Sequence, residues 1–229
     1  MNPPSGIKHY FGLQDDLSSI EPYLAYGSRM DFKSGDIVIP MNICVEHLYY
    51  LKRGRIGRLV VTANGAERMI KVITNHGLLG TIPFFTDNDD NGSVNYSEFR
   101  ALEDCEVYRF SRESVYDVLL KDETVLRQLI VYFCNRIDSL NLQLIDTMIK
   151  NPSYRVSSFL YNYLCLFGTI NEQGQYVYTG KLSHYDIAKY LGLNRVSVTH
   201  VLKDLQDKGL IYKDRQKLVL LDMDFFERL

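Results

Sequence analysis

The sequence predicts an α+β chain in three parts: a β-sandwich or barrel, a long helix, and a helical pair followed by a small β wing. Three observations carry this expectation. From Met30 to about Arg109, short β runs recur between turns rich in Gly, Asn and Asp. From Ser111 to Lys150 neither Pro nor Gly occurs, and apolar residues fall at spacings of three and four. From Lys181 to Ile211, two helical patterns are joined by the short turn Gly192-Leu193-Asn194.

Composition sets the outer bounds. The 229 residues are 46% hydrophobic and 12% aromatic, enough for a sizeable core in one or two domains. The net charge of −2 points to no partner, but it is unevenly divided. Residues 1–150 carry 16 Lys and Arg against 20 Asp and Glu, whereas residues 151–229 carry 10 against 8. An anionic polymer would therefore meet the C-terminal part. No apolar run approaches the roughly 20 residues that span a bilayer, and the N-terminus lacks the apolar segment of a signal peptide, so a cytoplasmic protein with no membrane partner is expected. Cys44, Cys105, Cys134 and Cys165 are scattered without a CxxC, which argues for small buried residues and not for a zinc or redox site. No Ser/His/Asp set, carboxylate pair or metal-ligand spacing indicates an enzyme, and the five histidines lie far apart.

Residues 13–26 suit a short helix. "RMDFKSGDIVIP" alternates around a Ser-Gly-Asp turn, and "HLYYLKRGRIGRLVV" is two β runs split by Gly54. Asn64-Gly65 between two further runs is a strong hairpin signal. "EFRALEDCEVYRFS" supplies two more strands. In the following helix, Leu126, Leu129, Ile130, Phe133, Ile137, Leu140, Leu144 and Met148 form a stripe. That stripe is too long for a small barrel to cover and predicts pairing with a second copy, a homodimer. Asn151-Pro152 ends the helix. The expected boundaries are 1–112 for the β domain, 113–150 for the long helix and 151–229 for the C-terminal domain.

The C-terminal pattern carries the chemistry. Ser183 and Asp186 resemble a capping box, and Ile187, Ala188 and Leu191 make the inner face of a first helix. A second helix from about Arg195 to Lys208 turns Val198, Val201, Leu202 and Leu205 inward. Arg195, Val196, Ser197, Thr199, His200 and Lys203 are left outward near its start. Two helices joined by a three-residue turn, the second polar and basic, read double-stranded DNA in the major groove. Two strands around Asp214-Arg215-Gln216 would form a wing, with Lys213, Arg215 and Lys217 close by. Ser183 and His184, at the first helix's N-terminus, suit a DNA phosphate.

In this order of parts, the chain resembles the Crp/Fnr superfamily of bacterial transcription regulators over nearly its whole length. "YYLKRGRIGRLVV", "GAERMIKVI" and "LLGTIPFF" resemble strands of its effector domain, and "NPSYRVSSFLYNYL" and "LSHYDIAKYLGLNRVSVTHVLKDL" its DNA-binding domain. The Val-Ser-Val run of residues 196–198 is similar to the halorespiration-regulating branch. The resemblance implies an N-terminal double-stranded β-helix of the cyclic-nucleotide-binding jelly-roll type, a dimerisation helix, a winged helix-turn-helix and RNA polymerase as a partner.

The departures from that pattern narrow the function. Nucleotide-binding members carry Gly-Glu and, further on, Arg-Ser. Here those places hold Gly80-Thr81 and Asn95-Tyr96, which argues against cyclic AMP, because a buried phosphate would lack its cation. The first cysteine is Cys44, so the N-terminal cluster of iron–sulfur members is missing. His76 lies near the same cassette, but a lone loop histidine argues little for haem. The effector pocket is expected at Gly80, Thr81, Ile82, Tyr96, Arg100, Tyr132 and Arg136, a set suited to a small organic anion. Arg100 and Arg136 are equally compatible with surface ion pairs. Val196 stands where members that read a G·C pair carry Glu. Valine cannot accept from cytosine but can touch a thymine methyl, so an A/T-rich palindrome with TTAA-like half-sites is expected.

One segment lies outside this frame. "DNDDNGSVNYSE", residues 87–98, has the spacing of a twelve-residue calcium loop, with Asp87, Asp89, Asn91, Ser93 and Glu98 as candidate ligands. Asp, Asn and Gly equally suit a solvated turn. The leading expectation is an effector-responsive regulator. The alternative is a calcium- or metabolite-binding sensor that acts through protein partners.

Overall fold

A computed structural model describes residues 16–61, 67–86, 95–149 and 151–229. The chain packs as two compact units that meet within the long helix, at Asp138 and Ser139.

The N-terminal unit is a sandwich of two four-stranded antiparallel sheets. One contains β1 (Ser28–Phe32), β8 (Cys105–Phe110), β3 (Leu48–Arg53) and β6 (Gly77–Leu79), in that order. The other contains β2 (Ile37–Ile39), β7 (Glu98–Ala101), β4 (Ile56–Val61) and β5 (Glu67–Ile73). The turns read from the sequence at Ser34-Gly35 and Gly54 are corners between sheets and not hairpins: β1 pairs with β8 while β2 pairs with β7. β4 and β5 do pair antiparallel, though Asn64-Gly65 itself lies outside the described residues.

Period-2 alternation makes two cores from one sheet. On β3, Leu51 points between the sheets with Ile39, Ile56, Ile73, Phe99 and Val107. Leu48 and Tyr50 point to the other side, against Phe84, Phe110, Val115 and the long helix. A five-residue helix α1 (Thr81–Phe85) follows β6, and the expected early helix is a 3₁₀ segment, Ser18–Tyr26.

The long helix α2 (Glu123–Ile149) is 27 residues, preceded by short helical turns from Ser114 to Lys121. Asp122 accepts from the amides of Thr124 and Val125 and so starts it. The expected apolar stripe divides. Val125, Leu129 and Tyr132 are buried on the β domain, with Phe133 packed beside them. Leu126, Ile130, Ile137, Leu140, Leu144 and Met148 are exposed, Met148 to 76%.

After the last turns of α2, the C-terminal unit continues with α3 (Pro152–Phe167), capped by the Asn151 side chain with Pro at its first position. Helices α4 (His184–Leu191) and α5 (Arg195–Asp207) pack on α3 around Val156, Phe159, Leu160, Leu164, Ile187, Leu191, Val198 and Leu202. A four-stranded sheet is ordered β11 (Ile211–Lys213), β12 (Lys217–Leu220), β10 (Tyr176–Thr179), β9 (Thr169–Ile170), and α6 (Met223–Glu227) closes the chain.

Gly54 sits at a corner with φ 111°, and a Cβ there would lie 2.6 Å from Cys105 Sγ and 2.8 Å from the Asp104 carbonyl. Gly54→Ala is therefore expected to lower unfolding free energy by about 2 kcal/mol or more. Urea unfolding of the two proteins reads this directly; an unchanged midpoint would contradict it.

Candidate nucleic-acid interface and ligand site

The helical pair is built from its caps inward. Ser183 and Asp186 form the expected capping box: the Ser183 amide donates to Asp186 Oδ2 at 2.8 Å and the Asp186 amide donates to Ser183 Oγ at 3.1 Å. The Ser183 hydroxyl is thus already engaged, also donating to Asp186 Oδ2 at 2.6 Å. What this end of α4 still offers an anion is its open amides at His184 and Tyr185. Gly192 ends the helix in the left-handed conformation at φ 60°, which lets the chain reverse within three residues. Buried Arg155 donates to the Leu191 carbonyl and ties that turn to α3. Asn194 then caps α5 by accepting from the Val196 amide at 2.8 Å.

These caps fix what α5 presents. Arg195, Val196, Thr199, His200 and Lys203 are exposed and Ser197 is half-buried, while Val198, Leu202 and Leu205 are buried. Val196 is 60% exposed, a large apolar side chain at the helix start that no described residue covers. Thr199 Oγ1 donates to the Arg195 carbonyl at 2.9 Å and lies 2.9 Å from His184 Nδ1, which links the two helices. Burial, then the charges of Lys213 and Arg195, push the His184 pKa below its ordinary value.

A groove of about 810 Å³ runs between the start of α4, the start of α5 and the wing. Its charged lining is Lys181, Arg195, Lys213 and Arg215 against Asp214. Asp214 shapes the wing turn by accepting from the amides of Gln216 and Lys217, both at 2.7 Å. Those bonds hold its carboxyl below the ordinary range. Arg215 and Lys217 are exposed on this turn. Lys213, expected among the wing cations, is instead half-buried: its ammonium donates to the Leu182 carbonyl at 2.7 Å and stitches the wing to the loop before α4.

A cationic cluster lies in the β domain. Arg58 on β4 is in register with Lys71 on β5 and Phe99 on β7, so three neighbouring strands send these side chains to one face. There they meet Tyr132 of α2. The Lys71 ammonium lies 5.6 Å from the Tyr132 ring centre, and Lys71 is only 8% exposed. Arg136 lies 5.1 Å from the same ring centre and donates to the Tyr132 hydroxyl at 2.6 Å. The Tyr132 hydroxyl in turn donates to the Leu78 carbonyl at 3.2 Å. Arg58 donates to Ser97 Oγ at 2.9 Å. Burial and then the nearby Arg136 charge push the Arg58 pKa down. Among the described residues, neither Arg58 nor Arg136 pairs with a carboxylate.

The expected ligand residues scatter around this cluster. Tyr132 and Arg136 belong to it. Gly80 and Thr81 are buried at the start of α1, whereas Ile82 is exposed and Tyr96 is 76% exposed. Arg100 is held away: alternation turns it from Phe99, and it pairs with Glu98 and Glu67. It is thus an ion-pair residue, the alternative the sequence had left open. Glu98 is correspondingly occupied. Asp87, Asp89, Asn91 and Ser93 lie outside the described residues, and among the described residues no group of His, Cys, Asp or Glu could hold a metal ion. His76 is not a free loop histidine, since its Nδ1 lies 2.7 Å from the Tyr50 hydroxyl and 3.5 Å from Glu21. Arg58 and Lys71 were missed by the sequence reading. Their signal was a cation at an inward position of an otherwise apolar strand, in "IGRLVV" and "MIKVI".

Comparison with known proteins matches both parts of the chain to known domains. The Crp-like helix-turn-helix domain matches residues 154–229, and the cyclic nucleotide-binding domain matches residues 29–122. The cAMP-activated global transcriptional regulator CRP of Pasteurella multocida is 20% identical over 203 residues, 88% of this chain and 94% of its own. The anaerobic regulatory protein of Bacillus subtilis is 22% identical over 182 residues, covering 79% of this chain and 74% of its own. Among solved structures, CprK in complex with OCPA has a TM-score of 0.71 at 20% identity, covering 94% of both chains. A CooA variant from Carboxydothermus hydrogenoformans has a TM-score of 0.77 at 14% identity, covering 96% of this chain and 98% of its own. At these identities the structural matches speak for the fold alone. With a cyclic nucleotide-binding domain, a Crp-like helix-turn-helix domain and transcription regulators, not enzymes, as its curated relatives, the chain is a Crp/Fnr-type transcription regulator.

Proposed function

We propose that this regulator acts as a homodimer that reads an A/T-rich palindrome and responds to a small organic anion other than cyclic AMP. The proposal assigns residues 1–112 to effector binding, 113–150 to dimerisation and 151–229 to DNA, with RNA polymerase as downstream partner in the cytoplasm. The observation that carries it is exposed Val196 at the start of α5, flanked by Arg195 and Ser197. An apolar side chain at that place suits a thymine methyl and offers cytosine no acceptor. Arg195, Thr199, His200 and Lys203 extend the same face for base edges and phosphates, and Arg215 adds the wing.

Dimerisation is supported by the exposed stripe Leu126, Ile130, Ile137, Leu140, Leu144 and Met148, which a parallel second copy would bury. Two recognition helices would then enter successive major grooves about 34 Å apart. The anion reading is supported by Arg58, Lys71 and Arg136 around Tyr132. Arg58 and Arg136, two like charges near one another with no carboxylate partner among the described residues, are stabilised when an anion arrives. Because α2 supplies Tyr132 and Arg136, a ligand there would touch the same helix that carries the dimer stripe. It would favour whichever helix arrangement it binds better.

Three outcomes are expected. By fluorescence anisotropy at fixed salt, the protein binds a TTAA-type palindrome roughly tenfold or more tighter than one with G·C at the Val196 contact, and Val196→Glu narrows or reverses this. Equal binding of both probes by the unaltered protein overturns the A/T reading. In sedimentation, Leu140→Lys with Leu144→Lys converts a dimer to a folded monomer; an unchanged dimer removes the stripe from the interface. In a thermal-shift screen of small carboxylates and phenolates, at least one raises Tm of the wild type and leaves the Arg58→Gln/Arg136→Gln protein unshifted. An equal shift in both proteins locates the anion elsewhere.

A further inference from the structure

We infer that His184 is a positioning residue for the recognition helix whose imidazole takes up a proton when the domain engages DNA, so that duplex affinity rises as pH falls. This rests on the DNA-binding reading above and deepens it.

The geometry fixes the proton on one ring nitrogen. Thr199 Oγ1 has a single proton and donates it to the Arg195 carbonyl at 2.9 Å. Its 2.9 Å contact with His184 Nδ1 is then made by Nδ1–H donating to the hydroxyl oxygen. That bond joins the first turn of α4 to the first turn of α5 and holds Thr199 on the face that carries Val196. It is satisfied in the neutral ring and in the imidazolium alike. Nε2 is therefore the atom whose protonation can change without disturbing the helix pair.

The surroundings decide when it changes. On α5, Arg195 and Thr199 face the ring, and from the wing Lys213 contributes its charge. The groove beyond holds Lys181 before α4 and Asp214 and Arg215 on the wing turn. On its own helix, Asp186 is committed to the capping box with Ser183. In the free protein, partial burial and then two nearby cations favour the neutral ring, with the pKa below its ordinary value. A DNA phosphate in this groove offsets those cations and gives Nε2–H an acceptor. The bound-state pKa is thus raised above the free-state one. By linkage, the added affinity is fully present below the free-state pKa and is lost as pH rises through the bound-state pKa, a window near and below neutrality.

The test is anisotropy of the full-length protein on the TTAA-type palindrome, at constant ionic strength, from about pH 5.5 to about pH 8. It is repeated on an arbitrary duplex at low salt, where a basic groove binds any sequence. Wild type is expected to bind roughly tenfold tighter at the acidic end, the change given by a one-unit difference between free and bound pKa. His184→Gln keeps a donor for Thr199 but cannot take up the proton, and its profile is expected to be flat. His184→Arg, with permanent charge, is expected to be flat as well. His200→Gln, on the neighbouring turn, is expected to keep the wild-type slope. A slope that persists in His184→Gln, or vanishes in His200→Gln, overturns the inference while leaving DNA binding intact. Absence of binding to both duplexes at every pH overturns the DNA reading and this inference together.

Discussion

Helix α2 carries apolar residues on two faces, and the described residues cover only one. Val125, Leu129, Tyr132 and Phe133 are taken up by the β domain, while Leu126, Ile130, Ile137, Leu140 and Leu144 are left to solvent. Exposing so large an apolar seam is unfavourable in water, so the chain is under pressure to pair. The same helix sends Tyr132 and Arg136 into the cationic cluster of the β domain. One element thus belongs to the core, to the proposed dimer contact and to the proposed ligand site. Rotating or sliding it would be felt in all three.

The chain handles its charges differently in its two units. In the β domain, Arg58 and Arg136 lie close to each other beside Lys71, with hydroxyls and aromatic rings around them. Nearby carboxylates go elsewhere: Glu98 and Glu67 hold Arg100, and Glu103 holds Arg55. Two guanidinium groups this close, with no carboxylate on either among the described residues, cost stability until a counter-charge reaches them. In the C-terminal domain, by contrast, Lys213 is spent on the Leu182 carbonyl and Asp214 on the wing turn. These bonds shape the groove, and Arg195 and Arg215 remain available on its rim.

The helix pair reads as a rigid platform because local caps hold both ends of α4 and the start of α5. Ser183 and Asp186 start α4, Gly192 and Arg155 finish it, and Asn194 starts α5. The orientation of Val196 is therefore set before any DNA arrives. Pre-organisation of this kind keeps the ordering entropy of the reading face out of the binding step.

Much of this was legible in the residues alone. The strand–helix–helix pair–wing order follows from local periodicity and turn chemistry, which act over a few residues and leave a direct trace: the capping box, Asn151-Pro152, the turn at Gly192 and the buried face of α5 all lie where the pattern put them. The outward set on α5 was equally legible, because a 3.6-residue period assigns each side chain to a face. Tertiary structure decided the rest, since it depends on which strand lies beside which. The sequence shows Gly35 and Gly54 only as breaks between β runs; long-range pairing makes them sheet-to-sheet corners. Arg100 and Arg58 look alike in sequence. Alternation on neighbouring strands sends Arg100 to two carboxylates and Arg58 to Ser97, Phe99 and Arg136. Lys213 looked like a free wing cation until the loop before α4 was folded against it. Local order was written in the sequence because it costs only local entropy; charge pairing was decided only when distant strands met.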